Sequence, residues 1–311
     1  MRKIAFLFLF STLTMVGQGV VSEAHELYNG DIYLPGTLTY PESNNPLPLV
    51  IFIHGSGNAD RNGNQGALAS ANHIKQLADS LNTKGIAFYR YDKRNATPAN
   101  REKIKMEEAS IRDLAEDVKI AIATFKDDPR FASIYLVGHS QGSLVGMLAA
   151  ANNVTGYISV AGPGTTIDKA LIRQLTAQNE DAGKVTAAHI KELMETDTIK
   201  EVNIMLMAIF APQNQRYLKE WIMIDPVNEI RKLKVPVLII NGDADFQVTV
   251  EDAQLLKQAK PNAQLVIVKN MNHMLKTVEN DSENQQSYYN SDFPLSTSLV
   301  KAITEFIRTN G

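Results

Sequence analysis

The fold is decided by the stretch Ile134-Tyr135-Leu136-Val137-Gly138-His139-Ser140-Gln141-Gly142. It opens with a short apolar run that ends at a glycine, which is typical of a strand buried on both faces. A helical, alanine-rich segment from Leu144 to Ala151 follows directly. The stretch therefore predicts a strand, a tight turn at Ser140 and a helix, the unit from which parallel α/β sheets are built.

Strands and helices alternate along the chain on both sides of this stretch. Further strands are predicted at Leu49–Ile53, Ile86–Tyr91, Tyr157–Val160, Val235–Ile240 and Gln264–Ile267. Apolar residues recur at helical spacing over Ile74–Leu81 and Ile111–Ile122, which predicts amphipathic helices. Glu26–Tyr40 alternates loosely and has turn chemistry at Pro35-Gly36, which suggests an opening β-hairpin. This order predicts an α/β protein with a mostly parallel central sheet flanked by helices.

One long segment breaks the alternation. From about Ile167 to Trp221 the sequence is helical throughout, and that is too long for a single connection. We therefore predict an inserted helical cap, at about residues 165–224, over the strand ends. Its large apolar side chains could form an adaptable lid or a packed interior, and their helical spacing favours packing, with some of them facing an acyl pocket. They are Met194, Met205, Leu206, Met207, Ile209 and Phe210.

The first residues have the pattern of a secretory signal peptide. A cationic start, Met1-Arg2-Lys3, precedes a short apolar core and then small residues up to Ala24. We expect cleavage after Ala24, with Gly19 as the alternative site, so that residues 25–311 form the mature domain. An uncleaved anchor is the competing interpretation, but the apolar core is shorter than the ~20 residues that a span needs. The expected location is the bacterial periplasm or the medium, with no stable membrane span after cleavage.

Charge and cysteine content exclude several kinds of site. The 311 residues carry a net charge of -3 and no long run of like charges, so a nucleic-acid surface is not indicated. There is no cysteine, which excludes disulfides, thiolate metal sites and a cysteine nucleophile. The oligomeric state is left open.

Gly138–Gly142 matches the pattern G-x-S-x-G between a strand and a helix, which predicts a nucleophile elbow. The glycines are needed because a side chain would clash in the tight turn, while Ser140 takes a strained conformation that exposes its hydroxyl. The N–H of Gln141 lies at a helix amino end, where it can donate to an oxyanion. A plain glycine-rich turn is the alternative interpretation.

A serine hydroxyl reacts only when a base removes its proton and a third group orients that base. His273 is the predicted base, because it lies in a loop just after the strand Gln264–Ile267 and follows both the serine and an acid in the chain. A surface-loop histidine without a catalytic role is the alternative. Among the other histidines, His54 and His139 are expected to form hydrogen bonds around the elbow.

The acid is expected directly after the strand Val235–Ile240, where Asp243 and Asp245 both lie. An Asp-x-Asp pair could also bind a metal, but no further cluster of acids or histidines supports a metal site. The residues alone leave the choice between Asp243 and Asp245 open.

Over about residues 36–307 the sequence resembles α/β-hydrolases of the bacterial carboxylesterase type. The motifs that carry the resemblance are Gly55-Ser56-Gly57-Asn58-Ala59-Asp60-Arg61, Arg90-Tyr91-Asp92-Lys93-Arg94, the elbow at Ser140, Ala161-Gly162-Pro163-Gly164 and Gly242-Asp243-Ala244-Asp245. In such hydrolases the acid is the third residue after the glycine of a Gly-x-x-Asp turn, which implies Asp245. The resemblance also implies that the N–H of Ser56 joins that of Gln141 in the oxyanion hole.

The acidic and basic residues of these motifs are interpreted as loop braces. A calcium loop starting at Asp60 is rejected, because its sixth position is Gln65 where glycine is required. Ion pairs or hydrogen bonds of Asp60 and Arg61 are expected to brace the oxyanion loop, and those of Asp92 and Arg94 a neighbouring loop.

The expected activity is hydrolysis of a small carboxylic ester through an acyl-enzyme on Ser140, without a metal or an organic cofactor. A peptidase or acylaminoacyl hydrolase, a thioesterase and a perhydrolase would use the same triad, and the sequence does not separate them. A non-catalytic binding protein on a hydrolase scaffold is the rival from another class, although no triad residue is missing.

Overall fold

The computed structural model describes residues 19–66, 69–150 and 153–311. The strands are β1 (Val20–Ala24), β2 (Leu27–Asn29), β3 (Ile32–Leu34), β4 (Gly36–Pro41), β5 (Leu47–Ile53), β6 (Ala87–Tyr91), β7 (Phe131–His139), β8 (Gly156–Val160), β9 (Val237–Gly242) and β10 (Gln264–Val268). The helices are α1 (His73–Asn82), α2 (Ile111–Phe125), α3 (Gln141–Ala149), α4 (Ile167–Gln178), α5 (Glu180–Thr196), α6 (Met207–Phe210), α7 (Pro212–Ile222), α8 (Pro226–Lys232), α9 (Val250–Ala259), α10 (Asp281–Gln286) and α11 (Thr297–Asn310). None of the helices in the described residues is both long and apolar enough to cross a membrane.

An eight-stranded sheet in the order β1-β4-β6-β5-β7-β8-β9-β10 forms the centre of the molecule. β4 pairs antiparallel with β1 and β6, and the pairs from β6 to β10 are parallel. The parallel connections place the carboxyl ends of β5, β7, β8 and β9 at one edge of the sheet. A catalytic site is expected at that edge.

Both faces of the sheet are covered, which explains why its central strands are continuously apolar. On β5, Leu49, Ile51 and Ile53 point into one core, together with residues of α2, α3, α8 and α9. Val50 and Phe52 alternate with them and point into the second core, together with residues of α1 and α11. Each large side chain so buried contributes about 1.5–3 kcal/mol to the stability of the fold.

The sheet contains the strands predicted from the apolar runs, with ends shifted by a few residues. The opening β-hairpin is present, but its turn does not lie at the predicted Pro35-Gly36. β2 and β3 form a separate two-stranded sheet whose turn lies at Gly30-Asp31, where Gly30 has φ 57. Pro35-Gly36 instead connects β3 to β4. Gly36 is required there because a Cβ would lie 2.3 Å from the Tyr89 hydroxyl.

β1 occupies the carboxyl-terminal end of the predicted leader, of which residues 1–18 lie outside the described residues. Val20 to Ala24 pair in register with Pro41 to Thr37. Glu23 on β1 forms a 2.8 Å ion pair with Arg130. Cleavage after Ala24, the preferred site, would remove this edge strand, whereas cleavage after Gly19 would retain it.

The segment between β8 and β9 consists of helices α4 to α7, followed by α8. Its apolar side chains form a core of their own, made of Ile190, Leu193, Ile199, Leu206, Phe210, Leu218 and Ile222. Leu206 and Phe210 are buried as predicted, but Met205 is 85% exposed and Met194 is 37% exposed, so internal packing is the wrong interpretation for these two residues. Arg173 on α4 joins the cap to the sheet domain through a 2.6 Å ion pair with the buried Asp252.

Candidate active site

Ser140 lies on a tight turn between β7 and α3. Its backbone has φ 53 and ψ −122, a region that non-glycine residues rarely adopt, and such strain costs about 1–3 kcal/mol. A hydrogen bond from the Ser140 N–H to the Val160 carbonyl, 3.0 Å, holds the turn against β8. The turn places the side chain of Ser140 above the carboxyl ends of the strands.

The glycines on either side of this serine allow the backbone to pack closely. A Cβ on Gly138 would lie 2.4 Å from the Gly142 carbonyl oxygen, and one on Gly142 would lie 2.2 Å from that of Ile53. Both contacts are with backbone, which cannot move aside cheaply. The pattern G-x-S-x-G is therefore required by the geometry of this turn.

His273 and Asp245 are in contact, although they belong to different loops. The Nδ1–H of His273 donates to Asp245 Oδ2 over 2.8 Å, and both side chains are buried. Asp245 Oδ1 accepts from the N–H groups of Gln247 (2.8 Å) and Val248 (3.0 Å). The carboxylate is therefore fixed by its own loop and can hold the ring in one tautomer.

Asp243, the competing acid, contacts a different group. Its Oδ1 accepts from the N–H of Asn270 over 2.6 Å. Asn270 has φ 58 and begins the loop that carries His273. Asp243 therefore braces this loop and does not contact the imidazole.

The histidine before the serine also supports this loop. The Nε2–H of His139 donates to the carbonyl of His273 over 2.8 Å, as expected for a histidine next to the elbow. Burial lowers the pKa of His139 to about 3, so it stays neutral. His54 differs from the prediction, because neither of its ring nitrogens has a hydrogen-bond partner among the described residues. It packs edge-on against the rings of Phe52 and Tyr91.

The structure brings Ser140 and His273 to the same edge of the sheet without joining them. The His139 ring lies 4.8 Å, between centroids, from that of His273. Among the described residues no hydrogen bond connects the Ser140 hydroxyl to His273. Catalytic hydrogen bonds are often long in free enzymes and shorten in the substrate complex, so the arrangement is compatible with a triad.

Two residues with potential backbone donors line the pocket together with the serine. Ser56 follows the end of β5, and Gln141 is the first residue of α3. Within the described part of the chain, neither N–H has an acceptor at hydrogen-bond distance. Both are therefore available to a developing oxyanion, and the helix dipole favours negative charge at Gln141.

A pocket of about 720 Å³ opens above Ser140, between the sheet domain and the cap. Ser56, Ser140 and Gln141 form part of its wall. The cap contributes Ile167, Leu171, Ile209, Tyr217, Leu218 and Trp221. The volume is that of a site for a drug-sized organic molecule, and its wall combines apolar side chains with many polar and charged ones.

The predicted loop braces are present. Asp60 Oδ1 accepts from the N–H groups of Asn62 (2.8 Å) and Asn64 (2.9 Å) within its own loop. Arg61 pairs with Asp92 through two hydrogen bonds, 2.8 and 2.9 Å. Arg94 forms a similar pair with the buried Asp117 of α2, with distances of 2.6 and 2.8 Å.

Lys93 and Tyr217 are site residues that the sequence analysis missed. Lys93 is buried and donates to the Gly55 carbonyl and to the side chain of Gln141. Tyr217 on α7 accepts from the Gln141 amide over 2.9 Å. The position of Lys93 just after β6, at the catalytic edge of the sheet, is the one signal that points to it.

The chain is similar to known esterases. A family model described as BD-FAE matches residues 31–259. Esterase EstD of Thermotoga maritima (strain ATCC 43589 / DSM 3109 / JCM 10099 / NBRC 100826 / MSB8) is 28% identical over 256 residues, which is 80% of this chain. The match covers 60% of EstD, so the chain spans less than two thirds of that relative's length.

Solved structures share the architecture. Est1E from Butyrivibrio proteoclasticus has a TM-score of 0.58 and 20% identity, over 92% of this chain and 98% of that chain, and is also known with ferulic acid bound. The α/β hydrolase GrgF from Penicillium sp. sh18 has a TM-score of 0.59 and 18% identity, over 93% of this chain and 99% of that chain. These likenesses concern the fold, and they confirm the predicted α/β-hydrolase fold with its mostly parallel sheet.

Proposed function

The chain belongs to the BD-FAE family, and from this premise we propose that it hydrolyses small carboxylic esters through an acyl-enzyme on Ser140. The observation that carries the proposal is the elbow itself. Ser140 has a positive φ and lies in the wall of a pocket of about 720 Å³. The N–H groups of Ser56 and Gln141, in the same wall, have no acceptor among the residues that the structure describes. A strained, half-buried serine in the wall of a pocket, with donors at its side, is what acyl transfer requires.

In the proposed cycle His273 takes the Ser140 proton on Nε2 while the serine oxygen attacks the ester carbonyl. Asp245 holds the ring by its Nδ1–H and stabilises the imidazolium that forms. The N–H groups of Ser56 and Gln141 bind the oxyanion, and donors of this kind are each worth about 3–4 kcal/mol. His273 then protonates the leaving alcohol. Water, activated by the same base, releases the acid and regenerates Ser140.

The proposed substrates are organic esters large enough to fill a pocket that is partly apolar. A panel of 4-nitrophenyl esters from acetate to octanoate, with methyl ferulate, an acylaminoacyl anilide and a thioester, tests it. We expect kcat/KM for the best ester to exceed that for the anilide by about 100-fold or more, since the amine leaves less readily and the triad supplies no other preference. A preference for the anilide would favour a peptidase.

Labelling by a fluorophosphonate separates the enzyme from a binding protein on the same scaffold. The activated serine of an enzyme forms a covalent adduct with the probe, located by mass spectrometry at Ser140. Heat-unfolded protein is the control for non-specific labelling. A folded protein that neither takes the label nor hydrolyses any ester of the panel would contradict the proposed function.

Export is also proposed, from the cationic and apolar pattern of the leader. The pairing of β1 along its whole length with β4 supports cleavage at Gly19 or earlier, which we propose in preference to cleavage after Ala24. The intact mass of the protein recovered from the periplasm or the medium of an expressing bacterium should correspond to a chain that contains Val20. Protein retained in the cytoplasm with its leader would contradict export.

The melting temperature provides a second test of the prediction that the mature chain retains β1. A chain beginning at His25 lacks the strand pair, and its hydrogen bonds at ~1 kcal/mol each amount to several kcal/mol. We expect its Tm to be lower by roughly 5–10 °C than that of a chain beginning at Val20. Glu23→Gln, which removes only the ion pair with Arg130, is the matched control. Equal Tm values would restore Ala24 as the cleavage site.

A further inference from the structure

Lys93 lies beside the residues of the candidate oxyanion hole and lines the same pocket. It follows β6, is 6% exposed, and its Nζ donates to the Gly55 carbonyl over 2.8 Å and to Gln141 Oε1 over 3.2 Å. Among the described residues, its hydrogen-bond acceptors are these two neutral oxygens, and no carboxylate forms an ion pair with it. A buried charge with only neutral acceptors is costly, so its retention needs a reason.

The contact with Gly55 controls one of the oxyanion donors. The carbonyl of Gly55 and the N–H of Ser56 belong to the same peptide unit, which is planar, so they point in opposite directions. An ammonium that holds the carbonyl therefore also fixes the direction in which the Ser56 N–H points. It also polarises the peptide, which makes the N–H a stronger donor.

The contact with Gln141 connects the same ammonium to the elbow and to the cap. Gln141 carries the second oxyanion donor on its backbone, and its side-chain Oε1 accepts from Lys93. Its Nε2 donates to the Tyr217 hydroxyl on α7 over 2.9 Å. The oxyanion loop, the elbow and the cap are thus linked through one continuous set of hydrogen bonds.

We propose that Lys93 is a positioning residue of the oxyanion hole, which orients the Gly55–Ser56 peptide and the Gln141 side chain and adds positive charge behind both donors. This inference rests on the proposed ester hydrolysis at Ser140. Its effect falls on the transition state, because negative charge on the carbonyl oxygen is present there and absent from the bound ester.

The protonation of Lys93 is compatible with this role. Burial lowers its pKa to about 8, so the group remains mostly charged at pH 7. Replacement by methionine keeps the unbranched stem and removes the charge. The substitution removes a costly buried charge but leaves the Gly55 carbonyl and Gln141 Oε1 without this donor, so we expect Lys93→Met to fold with a Tm lowered by a few degrees.

The test compares kcat, KM and inhibition by an aryl trifluoromethyl ketone, whose serine adduct carries an oxyanion. Lys93→Met should lower kcat for a 4-nitrophenyl ester about 10- to 100-fold and change KM by less than about threefold. The inhibition constant of the ketone should rise by the same factor as kcat/KM falls. A merely structural role would not produce this proportionality.

Lys257→Met is the matched control. Lys257 on α9 also donates from its ammonium to backbone carbonyls, those of Pro261 and Ala263, but at the far end of the helix from the pocket. Its kcat should stay within about twofold of the wild type. If Lys93→Met fails to fold, Lys93→Gln, which keeps a neutral donor, supports the same measurements.

The outcomes separate this inference from the proposed function. A wild type without ester hydrolysis refutes both. An active wild type matched by an equally active Lys93→Met overturns the inference alone. A fall in kcat without a parallel rise in the ketone inhibition constant also overturns it, because the loss would then arise outside the oxyanion hole.

Discussion

Replacing Ser140 with alanine is expected to abolish hydrolysis of short-chain aryl esters, lowering kcat by about 10⁴- to 10⁶-fold. The attacking oxygen is lost, and the remaining donors and base can assist only direct attack by water. KM should change little, because the hydroxyl is a small part of a pocket of about 720 Å³. Stopped assays at high enzyme concentration measure kcat and KM, and fluorophosphonate labelling reports whether the nucleophile has been lost.

The fold should survive this change. Ser140 already has φ 53, and alanine in that conformation is strained to a similar degree, so the Tm should shift by only a few degrees. Ser133→Ala, at the opposite end of β7, makes the same chemical change away from the pocket and should leave kcat unaltered. Activity above about 1% in purified Ser140→Ala would remove the serine from the nucleophile's role.

Local sequence patterns predict the central parallel strands of the sheet. They do not predict a strand whose formation depends on pairing with residues distant in sequence. β7 and the elbow could be predicted because a buried strand, a glycine-bounded turn and a helix each leave a short signature. β1 could not, because its residues Val20–Ala24 also fit the end of a leader. Only the partner strand β4, which is distant in sequence, makes them a strand.

The candidate site likewise contains residues that local patterns predict and residues whose role depends on distant parts of the chain. Ser140 and His273 follow from pattern and chain order, and Asp245 follows from resemblance. Lys93 was overlooked because a lysine between Asp92 and Arg94 normally points to solvent, and its burial depends on loops after β5 and β7. In this motif the charges of Asp92 and Arg94 indicate ion pairs. The residue that contacts the site is Lys93, which lies between them and forms no such pair among the described residues.

Asp245→Asn should reduce kcat about 10⁴-fold, the largest effect expected after that of Ser140. The asparagine can still accept from the N–H groups of Gln247 and Val248, so the loop should keep its shape. Its amide would then face His273 and favour the tautomer that carries a proton on Nε2. A ring in that tautomer cannot accept the proton of Ser140, so the loss should fall on kcat rather than on KM.

Asp243→Asn is the matched control, since it makes the same substitution two positions away. Asp243 accepts one hydrogen bond from the Asn270 N–H, which an asparagine oxygen can still receive, so kcat should fall by less than about tenfold. Both variants are compared with the wild type by kcat and KM on one 4-nitrophenyl ester, with Tm as the measure of folding. The opposite ranking would assign the acid to Asp243, because a residue that only braces the loop cannot set the tautomer of the base. Similar small losses in both would mean that His273 needs no carboxylate, and the 2.8 Å contact with Asp245 would then be structural.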